Sequence, residues 1–159
     1  MTGSSGSGKT TLLRRVVAER YPTLRAGHVD DLGAPQGARA WAELAAAGNA
    51  GPLLVVEGQE RPHVILEAAR DFHRAAVRVV LIDCGHAERR RRLLDERRQP
   101  ELDHLDMYAW AAYLRGQADA LGLEVLDTTG QDLAQSVAAL ASSIARFADQ
   151  QGIRLPAGA

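Results

Sequence analysis

Lysine is nearly missing from this chain of 159 residues, since eighteen of its nineteen basic residues are arginine and only Lys9 is lysine. Surface ion pairs and solubility accept either residue, so codon usage alone could explain an arginine bias. A lysine ammonium is nevertheless a compact point charge that fits between phosphate oxygens, whereas a guanidinium is a planar fork. The single lysine therefore makes the segment around Lys9 a candidate phosphate-binding site.

Other scarcities exclude whole classes of protein. With one cysteine, Cys84, the chain has no internal disulfide, and a reducing cytoplasm is the expected location. No apolar run approaches the roughly 20 residues of a membrane span, and the Gly/Ser start lacks the layout of a signal peptide. A net charge of −1 gives no basic excess for coating nucleic acid. The length and composition suit one globular domain.

The segment around Lys9 reads GSSGSGKTT and matches the phosphate-loop pattern G-x-x-x-x-G-K-[ST]. Such a loop turns backbone N–H groups onto phosphates, while its lysine neutralises them and its Ser/Thr binds Mg²⁺. The alternative is a flexible Gly/Ser linker. The following KTTLLRRVVAERY predicts an amphipathic helix, which favours the phosphate loop. The residues predicted to bind nucleotide here are Gly3, Ser4, Ser5, Gly6, Ser7, Gly8, Lys9, Thr10 and Thr11.

The rest of the sequence alternates between strand and helix patterns. Strands are predicted at 24–31, 53–58, 77–84 and 123–129, and helices at 36–48, 61–76, 86–99, 106–122 and 132–150. Alternation of this kind predicts an α/β fold with three layers and a mostly parallel sheet, as in P-loop NTPases. We expect one domain over residues 1–150, with a lid around 86–104 and a tail over 151–159.

A phosphate loop normally follows a β-strand, but only Met1 and Thr2 precede this one. The first strand of the fold is therefore expected to be missing from the sequence. Three interpretations are open: a start placed too late, another segment filling the gap, or a sheet that is short. The first is the hypothesis we favour at this stage.

Two acidic residues at predicted strand ends are candidates for phosphoryl-transfer chemistry. Ligands of parallel sheets bind beyond the carboxyl ends of the strands. Asp30 is predicted to orient an acceptor or bind the metal, although DDLGAP is also a plausible turn. Glu57 ends an apolar strand and is a candidate Mg²⁺ ligand, with a plain surface charge equally open. Arg61, shortly after it, could contact an acceptor or a phosphate.

The predicted helix 86–99 holds six arginines, and such a run is usually a solvated face. Between a buried strand and Pro100, it could instead be a mobile lid that carries cations over a nucleotide. Arg92 and Arg97 are the predicted catalytic arginines, and Arg89 the third choice. The others are expected to pair with Glu88, Asp95 and Glu96.

The remaining polar and aromatic residues give weaker signals. The five histidines lack metal-ligand spacing, and Cys84 suits a core position. Trp41 and Trp110 could line either the core or an acceptor pocket. Thr128, in the DTTG segment, could contact adenine or only cap the last helix.

After the phosphate loop come HVDDLGAP, LLVVEGQERP, LIDCGHAERRRRLLDERRQPEL and MYAWAAYLRGQADALGLEVLDTT. The order of these motifs resembles that of the small P-loop kinases. These include nucleoside-monophosphate, shikimate, gluconate and chloramphenicol kinases and relatives labelled AAA-family ATPases. The likeness runs from Gly3 to about Gln150, and only the phosphate loop is highly specific. It implies an acceptor or Mg²⁺ role for Asp30, lid roles for Arg92 and Arg97, and an adenine contact for the DTT loop.

Together these signals predict a kinase that uses ATP and Mg²⁺ and phosphorylates a small hydroxyl- or phosphate-bearing molecule. No acceptor signature is recognisable, so the partner is expected to be a small metabolite of open identity. One alternative is a non-catalytic module that binds ATP or ADP. Another is a polynucleotide kinase, which only the arginine helix supports. A third is a folded but inactive protein.

Overall fold

The computed structural model describes residues 1–32, 37–48, 51–71 and 76–155. Four strands are present in these ranges: β1 Arg25–His28, β2 Leu54–Glu57, β3 Val80–Asp83 and β4 Glu124–Asp127. The helices are α1 Lys9–Glu19, α2 Gly37–Ala46, α3 Pro62–Arg70, α4 His86–Arg91, α5 Leu105–Ala120 and α6 Leu133–Gln150. Short helical turns cover Val29–Leu32, Arg92–Glu96 and Pro100–Leu102. This order confirms the α/β fold.

The strands form two parallel pairs, β1 with β2 and β3 with β4. Thr2 lies between them and bridges in parallel to both Gly58 and Leu81. Its N–H donates to Val80 O at 2.9 Å, and its carbonyl accepts from Ile82 N–H at 2.8 Å. The spatial order in the described residues is therefore β1, β2, Thr2, β3, β4.

Helices cover both faces of this sheet because consecutive strand residues point to opposite sides. Val80 and Ile82 pack in a core with α1 and α6, whose contributions include Val16 and Ile144. Leu81, between them, packs instead in a second cluster against Leu114 and Ala118 of α5. The protein therefore has the three layers that the alternating sequence predicts.

Several predicted boundaries are wrong by a few residues. The strand predicted at 24–31 ends at His28, and Asp30 and Asp31 lie in the turn that follows. The Asp31 carboxylate accepts a hydrogen bond from His28 N–H at 2.8 Å, which closes that turn. The strand predicted at 77–84 is limited to Val80–Asp83, the four residues that β4 pairs with. Parts of the predicted helices at 36–48 and 61–76 lie outside the described residues.

Helix α6 begins where its sequence indicates. The Asp132 carboxylate accepts from Gln135 N–H at 2.7 Å, and the Gln135 side chain accepts from Asp132 N–H at 3.0 Å. This reciprocal capping satisfies two donors at the helix end. The cap is therefore Asp132, and Thr128 has a different role. Within the described residues, no helix is long and apolar enough to cross a membrane.

Candidate functional site

The segment Gly3–Gly8 connects the central strand residue Thr2 to helix α1 as a tight loop. Gly3, Gly6 and Gly8 all adopt positive φ angles, of 158°, 77° and 96°. A Cβ on Gly3 would lie 2.2 Å from Ile82 O, and one on Gly6 would lie 3.0 Å from Arg89 Cγ. Glycine is therefore required by close packing as well as by conformation. A flexible linker would not be packed in this way.

Lys9 lies inside this loop, only 7% exposed, and its Nζ donates to Ser4 O at 3.1 Å. Burial lowers its pKa to about 8, against the attraction of Glu57 and with the added repulsion of Arg97 and Arg89. The ammonium is thus buried against the Ser4 carbonyl and experiences the positive charges of Arg89 and Arg97. Such a cluster suits a multiply charged anion.

Thr10 and Glu57 meet beside the loop, at the start of α1 and the end of β2. The Thr10 hydroxyl donates to Glu57 Oε1 at 2.7 Å. Glu57 is 3% exposed, and its Oε2 is buried without a hydrogen-bond partner. A buried carboxylate oxygen without a partner is costly unless it binds a cation or water. A hydroxyl and a carboxylate are hard oxygen ligands, so these two residues fit Mg²⁺.

His28 lies between Asp30 and Glu57, a position that the sequence did not indicate. Its Nδ1 accepts from Asp30 N–H at 3.1 Å and lies 3.5 Å from Asp30 Oδ2. Its Nε2 lies 3.6 Å from Glu57 Oε1. One ring nitrogen of His28 thus faces Asp30 and the other faces Glu57. His28 therefore connects the exposed Asp30 to the buried Glu57.

Arg89, in helix α4, joins the loop to the end of strand β3. It is 2% exposed, and Nη2 donates to Asp83 Oδ1 and Cys84 O, both at 2.8 Å. Nη1 donates to the Ser4 hydroxyl and, at 3.1 Å, to Ser5 O. Four protein acceptors thus surround the guanidinium and tie the loop to the end of β3. A contact between Arg89 and nucleotide stays a prediction.

Arg92 connects the loop to the segment after β4. Its Nη1 donates to Ser7 O at 3.2 Å and to the Thr128 hydroxyl at 2.9 Å, while Nη2 donates to Thr128 O at 3.1 Å. The Thr128 hydroxyl in turn donates to Asp83 O at 3.0 Å. The Glu88 carboxylate accepts a hydrogen bond from Arg92 Nε at 2.7 Å. Arg92 and Thr128 thus both border the loop.

Among the other arginines of the segment, Arg91 pairs with the acids expected for this group, whereas Arg90 pairs with a different one. Arg91 pairs with Glu88 and Glu96, and its hydrogen bond lowers the pKa of Glu88 to about 2. Arg90 pairs with Asp103 at 3.1 Å. Arg97 is exposed and contributes to lowering the pKa of Lys9. The structure therefore places Arg89 and Arg92 in contact with the loop and leaves Arg90 and Arg91 on the surface. A catalytic role for Arg97 stays a prediction.

Of the remaining candidate residues, some are exposed and others are buried in the core. Thr11 and Arg61 are exposed, and the Arg61 guanidinium lies 5.7 Å from the Trp110 ring centroid. Trp41 is a core residue, whose indole N–H donates to His28 O at 2.8 Å. Cys84 is buried, and its Sγ contacts Gly6 O at 3.6 Å. Within the described residues, no cluster of three or more His, Cys, Asp or Glu side chains could hold a metal.

Two solved structures with a similar fold are kinases. A sugar kinase from Janibacter sp. HTCC2649 matches with a TM-score of 0.57 and 16% identity, over 91% of this chain and 91% of that one. Shikimate kinase from Acinetobacter baumannii, solved with shikimate, matches with a TM-score of 0.52 and 15% identity, over 96% of this chain and 93% of that one. The fold is that of the small P-loop kinases. No protein-family model and no curated protein sequence matches the chain.

Proposed function

We propose that this protein is a phosphotransferase that uses ATP and Mg²⁺ to phosphorylate a small hydroxyl- or phosphate-bearing molecule. The observation that carries the proposal is the packed phosphate loop with the buried Lys9 inside it and the Thr10–Glu57 pair beside it. The kinase fold of the structural neighbours supports it.

Each candidate residue has a role in this proposal. Lys9 and the loop N–H groups hold the nucleotide phosphates, while Thr10 and Glu57 hold Mg²⁺. The bound metal supplies charge neutralisation at the phosphates. Asp30, linked to Glu57 through His28, orients the acceptor hydroxyl. Arg92 and Arg97 stabilise the charge that develops on the transferred group.

An acceptor screen tests this proposal. The purified protein is incubated with ATP and Mg²⁺ and a panel of sugars, polyols, hydroxy acids and nucleosides, and acceptor-dependent release of ADP is measured. Lys9→Ala should abolish release, whereas Arg14→Ala, on the exposed side of α1, should leave it unchanged. Turnover that persists in Lys9→Ala would refute the mechanism. If the protein binds nucleotide but no acceptor in the panel causes release of ADP, the result would favour a non-catalytic module.

The arginine segment gives the polynucleotide-kinase alternative little support. Arg89, Arg90, Arg91 and Arg92 all donate to acceptors within the chain. Arg89 is also buried, and Arg90 and Arg91 are paired with carboxylates, so a phosphate backbone would have to displace those partners. Oligonucleotide binding that falls steeply with salt would favour the alternative again.

A further inference from the structure

An open groove of 550 Å³ lies between the start of helix α3 and one face of helix α5. Its lining residues are Arg61, Asp106, Ala109, Trp110 and Tyr113. The four residues of α5 are three or four positions apart, so they share a single face of that helix. Arg61 directly precedes α3 and meets this face from the neighbouring helix.

The groove contains two stacked aromatic rings with a cation beside them. The Trp110 and Tyr113 rings have centroids 5.5 Å apart and an interplanar angle of 20°. The Arg61 guanidinium lies 5.7 Å from the Trp110 centroid, which is within the range of a cation–π contact. Tyr113 is 42% exposed, so part of this aromatic surface is open to a ligand.

Arg61 is a cation without an acidic partner. Apart from the contact with Trp110, its guanidinium makes no hydrogen bond or ion pair within the residues that the structure describes. The four arginines of the run 89–92, by contrast, all donate to acceptors of the chain. A guanidinium with its N–H groups available fits a carboxylate or a phosphate, which accept two parallel hydrogen bonds from it.

The groove begins beside the phosphate loop. The carbonyl of Glu60, the residue before Arg61, accepts a hydrogen bond from the Thr2 hydroxyl at 2.6 Å. The Gln59 side chain donates to the Ser5 hydroxyl, in the loop, at 3.4 Å. The two residues before Arg61 are thus both attached to the loop or to the residue that leads into it. A ligand of the groove therefore lies next to the place where the proposed function puts the nucleotide phosphates.

We propose that this groove, the acceptor groove, binds the molecule that is phosphorylated, and that this acceptor is a ring compound carrying a carboxylate or phosphate group. Arg61 binds the anionic group, while Trp110 and Tyr113 pack against the flat face of the ring. The inference rests on the function proposed above and narrows its acceptor from any small hydroxyl- or phosphate-bearing molecule to an anionic ring.

The first experiment measures binding without turnover, by calorimetry and by tryptophan fluorescence, with ADP and Mg²⁺ absent and then present. One ligand series is glucose, glucuronate and glucose 6-phosphate, and another is benzyl alcohol, mandelate and phenyl phosphate. Each series keeps one ring and makes it neutral, a carboxylate or a phosphate. Gluconate and glycerol phosphate are the open-chain anions. Trp110→Phe identifies the part of the fluorescence change that arises in the groove.

Anionic rings should bind at least about tenfold more tightly than the neutral member of their series. Arg61→Gln should remove that difference and leave the neutral rings unchanged. Tyr113→Leu should weaken the binding of charged and neutral rings alike, by about two- to tenfold. Arg70→Gln, at the exposed far end of α3, is the matched control and should bind like the unchanged protein. Thermal unfolding checks that each variant is folded.

Equal binding of neutral and anionic rings would overturn the proposal, as would equal losses in Arg61→Gln and Arg70→Gln. Open-chain anions that bind as tightly as the rings would also overturn it, because the aromatic pair would then contribute nothing. The same ligands are then incubated with ATP and Mg²⁺. If anionic rings bind as expected but no ADP is released, the groove stands and the kinase proposal fails. If a neutral acceptor is turned over equally by Arg61→Gln, the kinase stands and the groove proposal fails.

Discussion

The Thr10 hydroxyl donates a hydrogen bond of 2.7 Å to Glu57 Oε1, which joins the start of helix α1 to the end of strand β2. The second carboxylate oxygen, Oε2, is buried without a partner. Both observations fit the roles proposed above for Thr10 and Glu57 at a Mg²⁺ site beside the loop.

Glu57→Gln should therefore weaken the Mg²⁺ dependence of nucleotide binding. A neutral amide is a poorer ligand for a hard divalent cation, so the change should weaken Mg²⁺ affinity by about tenfold or more. Calorimetry with ATP across a Mg²⁺ series measures the effect. Glu43→Gln, on the exposed side of α2, is the control and should behave like the unchanged protein. An identical Mg²⁺ response in both variants would contradict this assignment.

Arg89→Met should destabilise the fold far more than its surface neighbour. The change leaves Asp83, the Ser4 hydroxyl and two carbonyl groups without their donor, and breaking a buried ion pair costs about 3–5 kcal/mol. Arg90→Met removes an exposed pair with Asp103 and should cost less than about 1 kcal/mol. Urea unfolding measures both. Equal costs would show that Arg89 does not brace the loop.

The lowered pKa of Lys9 predicts a rise in stability at alkaline pH in the absence of nucleotide. Its pKa is about 8 in the fold and near 10.5 when unfolded, so between these values the unfolded chain binds more protons. Folding stability should then increase with pH from about 8, by at most about 3 kcal/mol relative to Lys9→Met. Below pH 8 the lysine is charged in both states, and the penalty of burial is fully present.

Urea unfolding at pH 7 to 10 of the unchanged protein and Lys9→Met checks this prediction through the difference between the two stabilities. The subtraction removes the titration of other groups, such as the buried Met1 ammonium, whose pKa is about 6. A difference that stays constant with pH would mean that the ammonium is as well solvated in the fold as in the unfolded chain.

The sequence alone predicted the features that depend on local pattern. The loop around Lys9 is fixed by glycine spacing, and the layers follow from the alternation of strands and amphipathic helices. The approximate position of Glu57 followed from the apolar run before it. Boundaries were less predictable, because the end of β1 depends on a hydrogen bond from His28 N–H to the Asp31 side chain, three residues away.

The contacts that cross between elements could not be predicted. Arg89 and Arg90 are neighbours in one run of four arginines, yet Arg89 is buried against the phosphate loop and Arg90 is on the surface. That difference depends on how α4 is rotated against β3, which a run of four arginines does not encode. The link from Asp30 through His28 to Glu57 joins β1 to β2 and depends on their parallel register, in which His28 is level with Glu57.

Arg97 and Arg98 offer a matched test of the catalytic arginines. Both are exposed and adjacent, so replacing either with glutamine should change stability little. The positive charge of Arg97 contributes to lowering the pKa of Lys9. Once an acceptor is found, Arg97→Gln should lower kcat by about tenfold or more, and Arg98→Gln should not. A kcat that is equally reduced in both variants, or in neither, would remove Arg97 from the mechanism.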